Sequence, residues 1–283
     1  MSLRWSGLSL ALTILGLLVV VLALAWLLVI FPIMAKIPAD YEEEYMFDGF
    51  IKQLNQQTMS LDEIPTSIER LLKATDTQDN NVVIIKQDIN FYHAELGVPL
   101  TDVSTSELLG VDRTTRENVS GYGDMDRSGQ FTFPAGVKQG SYDCWSSSVM
   151  QTLPAQFIEE LEFEGLMVYK FKIDEQGINY GTDEATGLPR TMDSLTEIKV
   201  EPVSGIPVDT TTTTTVNMDL GQGPMPVYIN SMSFTDETIT NMIDTASSTR
   251  SLILWASVYG FWIAIGLGAA LTLGGVIVAA RSD

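Results

Sequence analysis

The sequence predicts a membrane-anchored, mainly β (α+β) extracytoplasmic domain held between two terminal transmembrane helices. Three observations lead there. Leu252 to Ala280 is uncharged and almost wholly apolar, and a second apolar stretch, Leu8 to Ile33, stands at the other end of the chain. Almost all the charge lies between them, in segments where branched and aromatic residues are punctuated by Gly and Pro at regular spacing, as an antiparallel sheet requires. The implied division is a tail at 1–7, a span at 8–34, an acidic β-rich domain at 35–250, a second span at 251–280 and a tail at 281–283.

Each apolar stretch exceeds the roughly 20 residues that cross a bilayer at about 1.5 Å per residue. Lipid offers backbone N–H and C=O groups no partner, so each must cross as a helix. The first run is far longer than the roughly 7–15 apolar residues of a signal peptide, which favours an uncleaved anchor, although Ile33-Met34-Ala35 would pass as a small-residue cleavage site.

The central domain carries 14 Lys and Arg against 35 Asp and Glu, a net of −21, because only Arg4, Arg281 and Asp283 lie outside it. Such a surface repels nucleic acid and anionic headgroups. It suits a solvated face in a salty medium, or one that collects cations. Cys144 is the only cysteine, so no intramolecular disulfide forms. His93 is the only histidine, and a catalytic Cys–His pair would have to join these two.

Along the domain, residues 41–77 leave helix and strand both open: Ile64, Ile68, Leu71 and Leu72 sit at helical spacing, yet Ile68, Arg70 and Leu72 also alternate. Val82 to Tyr92 reads as a strand bounded by Asp79-Asn80-Asn81. Leu161 to Ile173 reads as a hairpin turning at Glu164-Gly165, with Met167, Tyr169, Phe171 and Ile173 on the buried face. Glu197–Glu201 and Ile206–Asp209 flank the turn Pro202-Val203-Ser204-Gly205. Thr210 to Thr215 is read as strand, with an edge position expected. Thr235 to Thr249 begins with a capping signal and carries the stripe Ile239, Met242, Ile243 and Ala246, which predicts a short helix leading into the second span.

In that span, Gly260, Ala264 and Gly268 recur every four residues, as do Gly266, Ala270 and Gly274. Small residues so spaced let another helix approach closely, either the first span or a second copy. Two spans put both termini on one side. Their basic residues, Arg4 and Arg281, place the tails in the cytoplasm and the domain outside. Trp5, Tyr41, Tyr45, Trp255, Tyr259 and Trp262 fit interface anchors.

Four stretches in order carry a resemblance: Val111–Thr115 (VDRTT), Phe131–Trp145 (FTFPAGVKQGSYDCW), Gly165–Phe171 (GLMVYKF) and Val200–Pro207 (VEPVSGIP). Between two terminal spans they resemble the PorA-type porin family of actinobacteria and archaea, which implies an envelope protein, in its name a porin. Two helices cannot enclose a water-filled pore, so a pore would need several copies. By layout alone the chain is also similar to class B scavenger receptors, which implies a carrier of an apolar or lipid ligand through an ectodomain tunnel.

Asp124, Asp126 and Ser128, with Gly129 after them, match the first positions of a calcium loop, where hard oxygens two residues apart precede a glycine. The twelfth position is Ala135, and the competing reading is a polar turn without metal. Asn118-Val119-Ser120 is a glycosylation sequon. Glu42-Glu43-Glu44 and Glu159-Glu160 read as solvated acids. There is no phosphate-cradling glycine loop, no G-x-S-x-G and no zinc spacing, so no enzyme and no cofactor are expected. The reading is a non-enzymatic cell-envelope membrane protein with an outer binding or assembly domain. Its partners are the lipid bilayer and either a homo-oligomer or an envelope protein. The alternative is transport, as an oligomeric pore or an apolar-ligand carrier.

Overall fold

The computed structural model describes every residue except 1–5, 35, 79–80, 222 and 282–283. Arg4, Trp5 and Asp283 of the tails, Ala35 of the small-residue site and Asp79-Asn80 of the first turn therefore lie outside the described residues. The chain forms two compact units, residues 37–247 and residues 1–36 with 248–283.

The larger unit is mainly β. Its strands are β1 Glu42–Asn55, β2 Ser60–Gln78, β3 Val82–His93, β4 Thr105–Asp112, β5 Asn118–Gly123, β6 Ser141–Ser146, β7 Gln151–Phe163, β8 Leu166–Thr182, β9 Pro189–Glu201, β10 Ile206–Asp219 and β11 Pro224–Phe234. They make one sheet in the order β5-β4-β3-β2-β1-β11-β10-β9-β8-β7-β6. Every neighbouring pair is antiparallel. Two meanders thus spread from the central β1–β11 pair, and β5 and β6 are the free edges.

Those edges are joined by a short connecting segment. Asn118 N donates to Gly129 O and Phe131 N to Arg116 O on the β5 side, while Gln130 N donates to Asp143 O and Trp145 N to Gln130 O on the β6 side. One extended segment so satisfies edge groups that would otherwise be open to pairing with another chain, and the sheet becomes nearly a closed barrel.

Residues 41–77 are strands, and alternation decides the ambiguity. Ile68, Arg70 and Leu72 share one face, with Ile68 and Leu72 buried, because β2 pairs along its length with β1 and β3. The β7–β8 hairpin turns at Glu164-Gly165, both at positive φ (48° and 80°), with Phe163 opposite Leu166. Tyr169, Phe171 and Ile173 do face one core, but Met167 is 48% exposed, and Leu166 and Val168 on the opposite face are buried instead. At the turn end of the hairpin the covered face is therefore the one that carries Leu166 and Val168. The threonine run lies within β10, which pairs with β9 on one side and β11 on the other, so it is not an edge.

The inner face is apolar and aromatic. Phe171, wholly buried, meets Phe133, Tyr142 and Phe157 at centroid separations of 4.7, 5.7 and 5.9 Å. Burying such a ring contributes about 1.5–3 kcal/mol. Tyr45, expected at a membrane interface, is instead buried in the barrel and stacks on Phe234. The outer face is charged, with ion pairs Lys52–Glu63, Lys73–Glu42, Lys170–Glu197 and Lys199–Asp209 bridging neighbouring strands.

Where β11 ends, helix α3 (Asp236–Leu254) begins. Thr235 caps it by accepting from Thr238 N, and Thr235 N and Thr238 Oγ1 satisfy Met46 O of β1 beyond the end of β11. Ile239, Met242, Ile243 and Ala246 pack into the barrel core, as their spacing predicts.

The smaller unit holds α1 Gly7–Ala25, a π-helical turn Trp26–Ile30, α2 Phe31–Met34, and the end of α3, which continues through a second π-helical turn Trp255–Tyr259 into α4 Gly260–Arg281. Gly7–Ile30 and Asp236–Arg281 are each long and apolar enough to cross a membrane. α1 packs on α4 where both lack side-chain bulk. A Cβ on Gly268 would lie 2.8 Å from Gly16 O, and one on Gly275 would lie 2.7 Å from Ser9 O. The Trp26 indole donates to Ala256 O (2.9 Å), tying one π-helical turn to the other. Of the expected small-residue faces, Gly268 lies in this contact. Gly266 and Gly274 have no neighbour within 4 Å of a Cβ position, Ala270 is exposed, and Gly260 meets only Trp255 of its own helix. Ala264 is half-buried.

Candidate binding cavity

The barrel interior holds two cavities of about 220 and 510 Å³, the larger in the range of small-molecule sites. They share the wall residues Ile89, Ser147, Ser148, Thr214 and Met232. The first lies beside Tyr45 and Phe47 near the start of β1, and the second beside Gln53 and Leu54 near its end. From Tyr45 to Leu54 a strand advances about 30 Å, at roughly 3.4 Å per residue, so the pair runs lengthwise through the barrel.

Strand alternation sets the lining. Phe47, Leu72, Ile89, Phe131, Phe133, Ile173, Met232 and Phe234 give an apolar wall. Thr210, Thr212 and Thr214, every second residue of the threonine run, with Ser194 and Thr196 of β9, give a hydroxyl wall. Thr196 and Thr212 hydrogen-bond each other across the strands (3.1 Å).

Two polar networks border the first cavity. Arg127, nearly buried, pairs with Asp124 and with Glu107 (3.7 Å) and lies over the Trp145 ring. Ser147 Oγ donates to Glu107 (2.9 Å), and Gln87 Nε2 donates to Ser147 Oγ (3.2 Å). Arg70 lines the cavity opposite Tyr45 in the β1–β2 register, and its Nε and Nη2 both donate to Gln87 Oε1, at 2.9 and 2.6 Å. Burial, then the neighbouring acid Glu43, pushes the Tyr45 hydroxyl above its usual range. Glu43 is not a fully solvated acid: partial burial raises its carboxyl.

The second cavity is lined by Phe91, Met192, Val216, Met218 and Tyr228, with Asp102, Asp183, Arg190 and Asn230 among its polar groups. Burial pushes the Tyr228 hydroxyl up to about 12.

The motif residues cluster at the closure. Asp112 caps its turn by accepting from Thr114 N and Thr115 N (2.7 and 2.8 Å), and Arg113 Nε donates to Ile37 O (2.6 Å). Arg116 Nη1 donates to Phe133 O (2.7 Å) and Ser204 O (3.1 Å), clamping the Phe133-Pro134 loop to the 201–205 turn. Burial lowers that guanidinium from its ordinary value. Glu201, buried, accepts from Val203 N and Ser204 N. Motif residues also reach the first cavity, where Phe131, Phe133, Trp145 and Pro207 line it, while its hydroxyl wall and Arg70 lie outside the motifs.

The calcium-loop residues are placed apart in function. Asp124 accepts from Arg127 and Leu108 N, and Asp126 accepts from Ser120 Oγ and Gly121 N (both 2.9 Å). Ser128 lies beyond them in the same loop. Among the described residues, no group of three or more His, Cys, Asp or Glu side chains is placed to hold a metal. Asn118 is buried, its Nδ2 donating to Gly129 O (3.2 Å) in the closing segment, so an attached glycan would break that bond. Burial pushes the Cys144 thiol up to about 12, which keeps it protonated and poorly nucleophilic at neutral pH.

A family model described as porin PorA matches residues 8–277, nearly the whole chain. No curated protein matches the sequence.

Proposed function

Because the chain belongs to the porin PorA family, we propose that it is a non-enzymatic cell-envelope membrane protein whose barrel is a binding domain, receiving a small ligand in its interior. Family membership and the barrel-like sheet support a porin-like role. The observation that carries the finer reading is the direction of the faces: ion pairs outward, and inward a lengthwise pair of cavities walled by rings and hydroxyls. That pattern suits a barrel standing in water around an apolar guest. The lengthwise cavity also favours a second reading, in which the same interior passes the ligand along as a carrier.

The two apolar helices are compatible with a two-pass anchor. With basic tails flanking a long acidic segment, the domain would face outward and both termini the cytoplasm. Protease added to intact cells should then remove the acidic domain and spare the spans. A domain protected in cells but cut in inverted vesicles would overturn the orientation.

Binding is tested on the full chain in lipid nanodiscs with a neutral fluorescent probe, N-phenylnaphthylamine. One saturable site per chain is expected, with displacement of the probe from Thr214→Trp, which blocks the wall common to both cavities. Equal binding by Thr214→Trp, or none beyond empty nanodiscs, would refute an interior site.

A further inference from the structure

We propose that the guest is a single-chain amphiphile with one acidic head, its carboxylate held by Arg70 in the first cavity and its hydrocarbon tail running along Ile89 and Met232 into the second. This rests on the interior-binding reading above and names its ligand class.

The argument begins with charge. The domain has 35 acids and 14 bases, so a basic side chain facing inward has ample choice of carboxylate partners. Arg127 takes two, Asp124 and Glu107. Arg70 takes none. Among the described residues it forms no ion pair, and both of its hydrogen bonds go to one amide oxygen, Gln87 Oε1. Gln87 stands between Arg70 and Glu107, whose charge is committed to Arg127. No Asp or Glu lines the first cavity. Glu43, two residues before Tyr45 on β1, is outside the lining and makes no ion pair with Arg70.

A guanidinium has five N–H donors, and its planar fork matches a carboxylate through two parallel bonds. Gln87 occupies two of these donors, which leaves a charged, half-desolvated edge on an apolar cavity. Leaving such a group without an anion is costly. A second donor, Trp145 Nε1, is buried without a partner in the same lining.

The rest of the cavity sets the tail. Phe47, Phe131 and Phe234 line the first cavity with Arg70, Ile89 stands opposite Arg70 in the β2–β3 register, and Ile89 and Met232 carry the wall on into the second cavity, which Phe91 and Val216 also line. The path of about 30 Å is roughly twice the ~15 Å depth of one bilayer leaflet, ample for one extended acyl chain. The second cavity carries two acids, Asp102 and Asp183, against one base, Arg190, whereas Arg70 is the one charged side chain lining the first, so the first is the better place for an anionic head.

The test uses the full chain in nanodiscs, with displacement of bound N-phenylnaphthylamine by hexadecanoate, hexadecyl phosphate, hexadecanol and hexadecylamine, each corrected for empty nanodiscs. Hexadecanoate is expected to displace the probe at least tenfold more tightly than hexadecanol, with hexadecylamine weakest. Arg70→Met should lose about ten- to hundredfold in hexadecanoate affinity, as befits a charge-assisted bond, and leave hexadecanol unchanged. Equal binding of acid and alcohol by the unaltered protein would overturn the head-group assignment, and that comparison needs no variant to fold. Tighter binding of the phosphate than the carboxylate would overturn the choice of carboxylate. Loss of acid and alcohol alike in Arg70→Met, with β-sheet circular dichroism intact, would also overturn it. Absence of any probe binding would instead defeat the interior-binding reading itself.

Discussion

Gly205 tests whether the barrel closure is packed as tightly as it is bonded. It sits at φ +74°, in the turn that Arg116 clamps to the Phe133-Pro134 loop. A Cβ there would press on the Pro134 carbonyl oxygen and lie 2.7 Å from Phe133 O, both backbone atoms that cannot swing away. Gly205→Ala therefore incurs about 1–2 kcal/mol for a left-handed non-glycine residue and about 1–3 kcal/mol for overpacking. Gly187 isolates the first part. Its φ is +70° and nothing lies within 4 Å of its Cβ position, so Gly187→Ala should cost only about 1–2 kcal/mol. At roughly 2–4 °C per kcal/mol for a domain of this size, Gly205→Ala should lower Tm by about 4–20 °C and Gly187→Ala by about 2–8 °C. The assay is thermal loss of β-sheet circular dichroism in the full chain. If the two variants melt together, the 201–205 turn is not packed against Pro134, and the closure is looser than its hydrogen bonds imply.

The Cys144 thiol, held near 12 by burial, should react with a thiol reagent at pH 8 about a thousandfold more slowly than in the denatured chain, whose thiol ionises near 8.5; equal rates would show the thiol is accessible. Its folded value lies above its unfolded one. The associated stability is therefore complete below about pH 8.5 and lost as pH rises toward 12, so Cys144→Ala should lose less stability between pH 9 and 11. Gly268→Leu should weaken association of the two apolar helices in a membrane assay and Gly266→Leu should not, since only the former meets α1; matching effects would sink this assignment. With a net of −21 in the domain, sodium chloride raised from 0.1 to 1 M should increase Tm by screening repulsion. Calcium at matched ionic strength should add nothing, because Asp124 and Asp126 already accept protein donors; a calcium excess abolished by Asp126→Asn would reverse that reading.

Local chemistry made much of the fold legible and long-range pairing concealed the rest. The β7–β8 hairpin was readable because Glu164-Gly165 supplies two positive-φ residues between alternating strands. Thr235 and the Ile239–Ala246 stripe were readable because capping and helical period are local. Residues 41–77 were not, since Ile64, Ile68, Leu71 and Leu72 fit the helical period while Ile68, Arg70 and Leu72 fit the alternating one, and the pairing of β2 with two partners decided between them. The central place of the threonine run depends on β9 and β11, which no window on the run contains. The motifs VDRTT, FPAG and VEPVSG marked the closure, with Phe133 alone of their residues reaching the cavity, because closing a barrel demands special backbone while a lining needs only the right parity. Arg70 was visible as a break in an apolar alternation. That it faces an amide where Arg127 faces carboxylates emerges only when β2, β3 and β4 lie side by side.

The outer face also limits what kind of porin-like role the barrel can have. A barrel that crosses a bilayer on its strands needs an outward apolar band about 25 Å tall, and a lysine at mid-depth costs about 2–4 kcal/mol. Here Lys52 on β1, Lys73 on β2, Lys86 on β3, Lys170 on β8 and Lys199 on β9 form outward ion pairs, and with their acidic partners they girdle most of the sheet. Inward, rings and aliphatic side chains share the wall with hydroxyls. In water, by contrast, the charged outer face is well solvated, and the proposed guest would meet the rings and hydroxyls inside. Under the proposed reading, a solute would pass through the barrel interior or between several copies of the apolar helices. Of these two routes, only the interior already presents a cavity, and with it a cation lacking an anion.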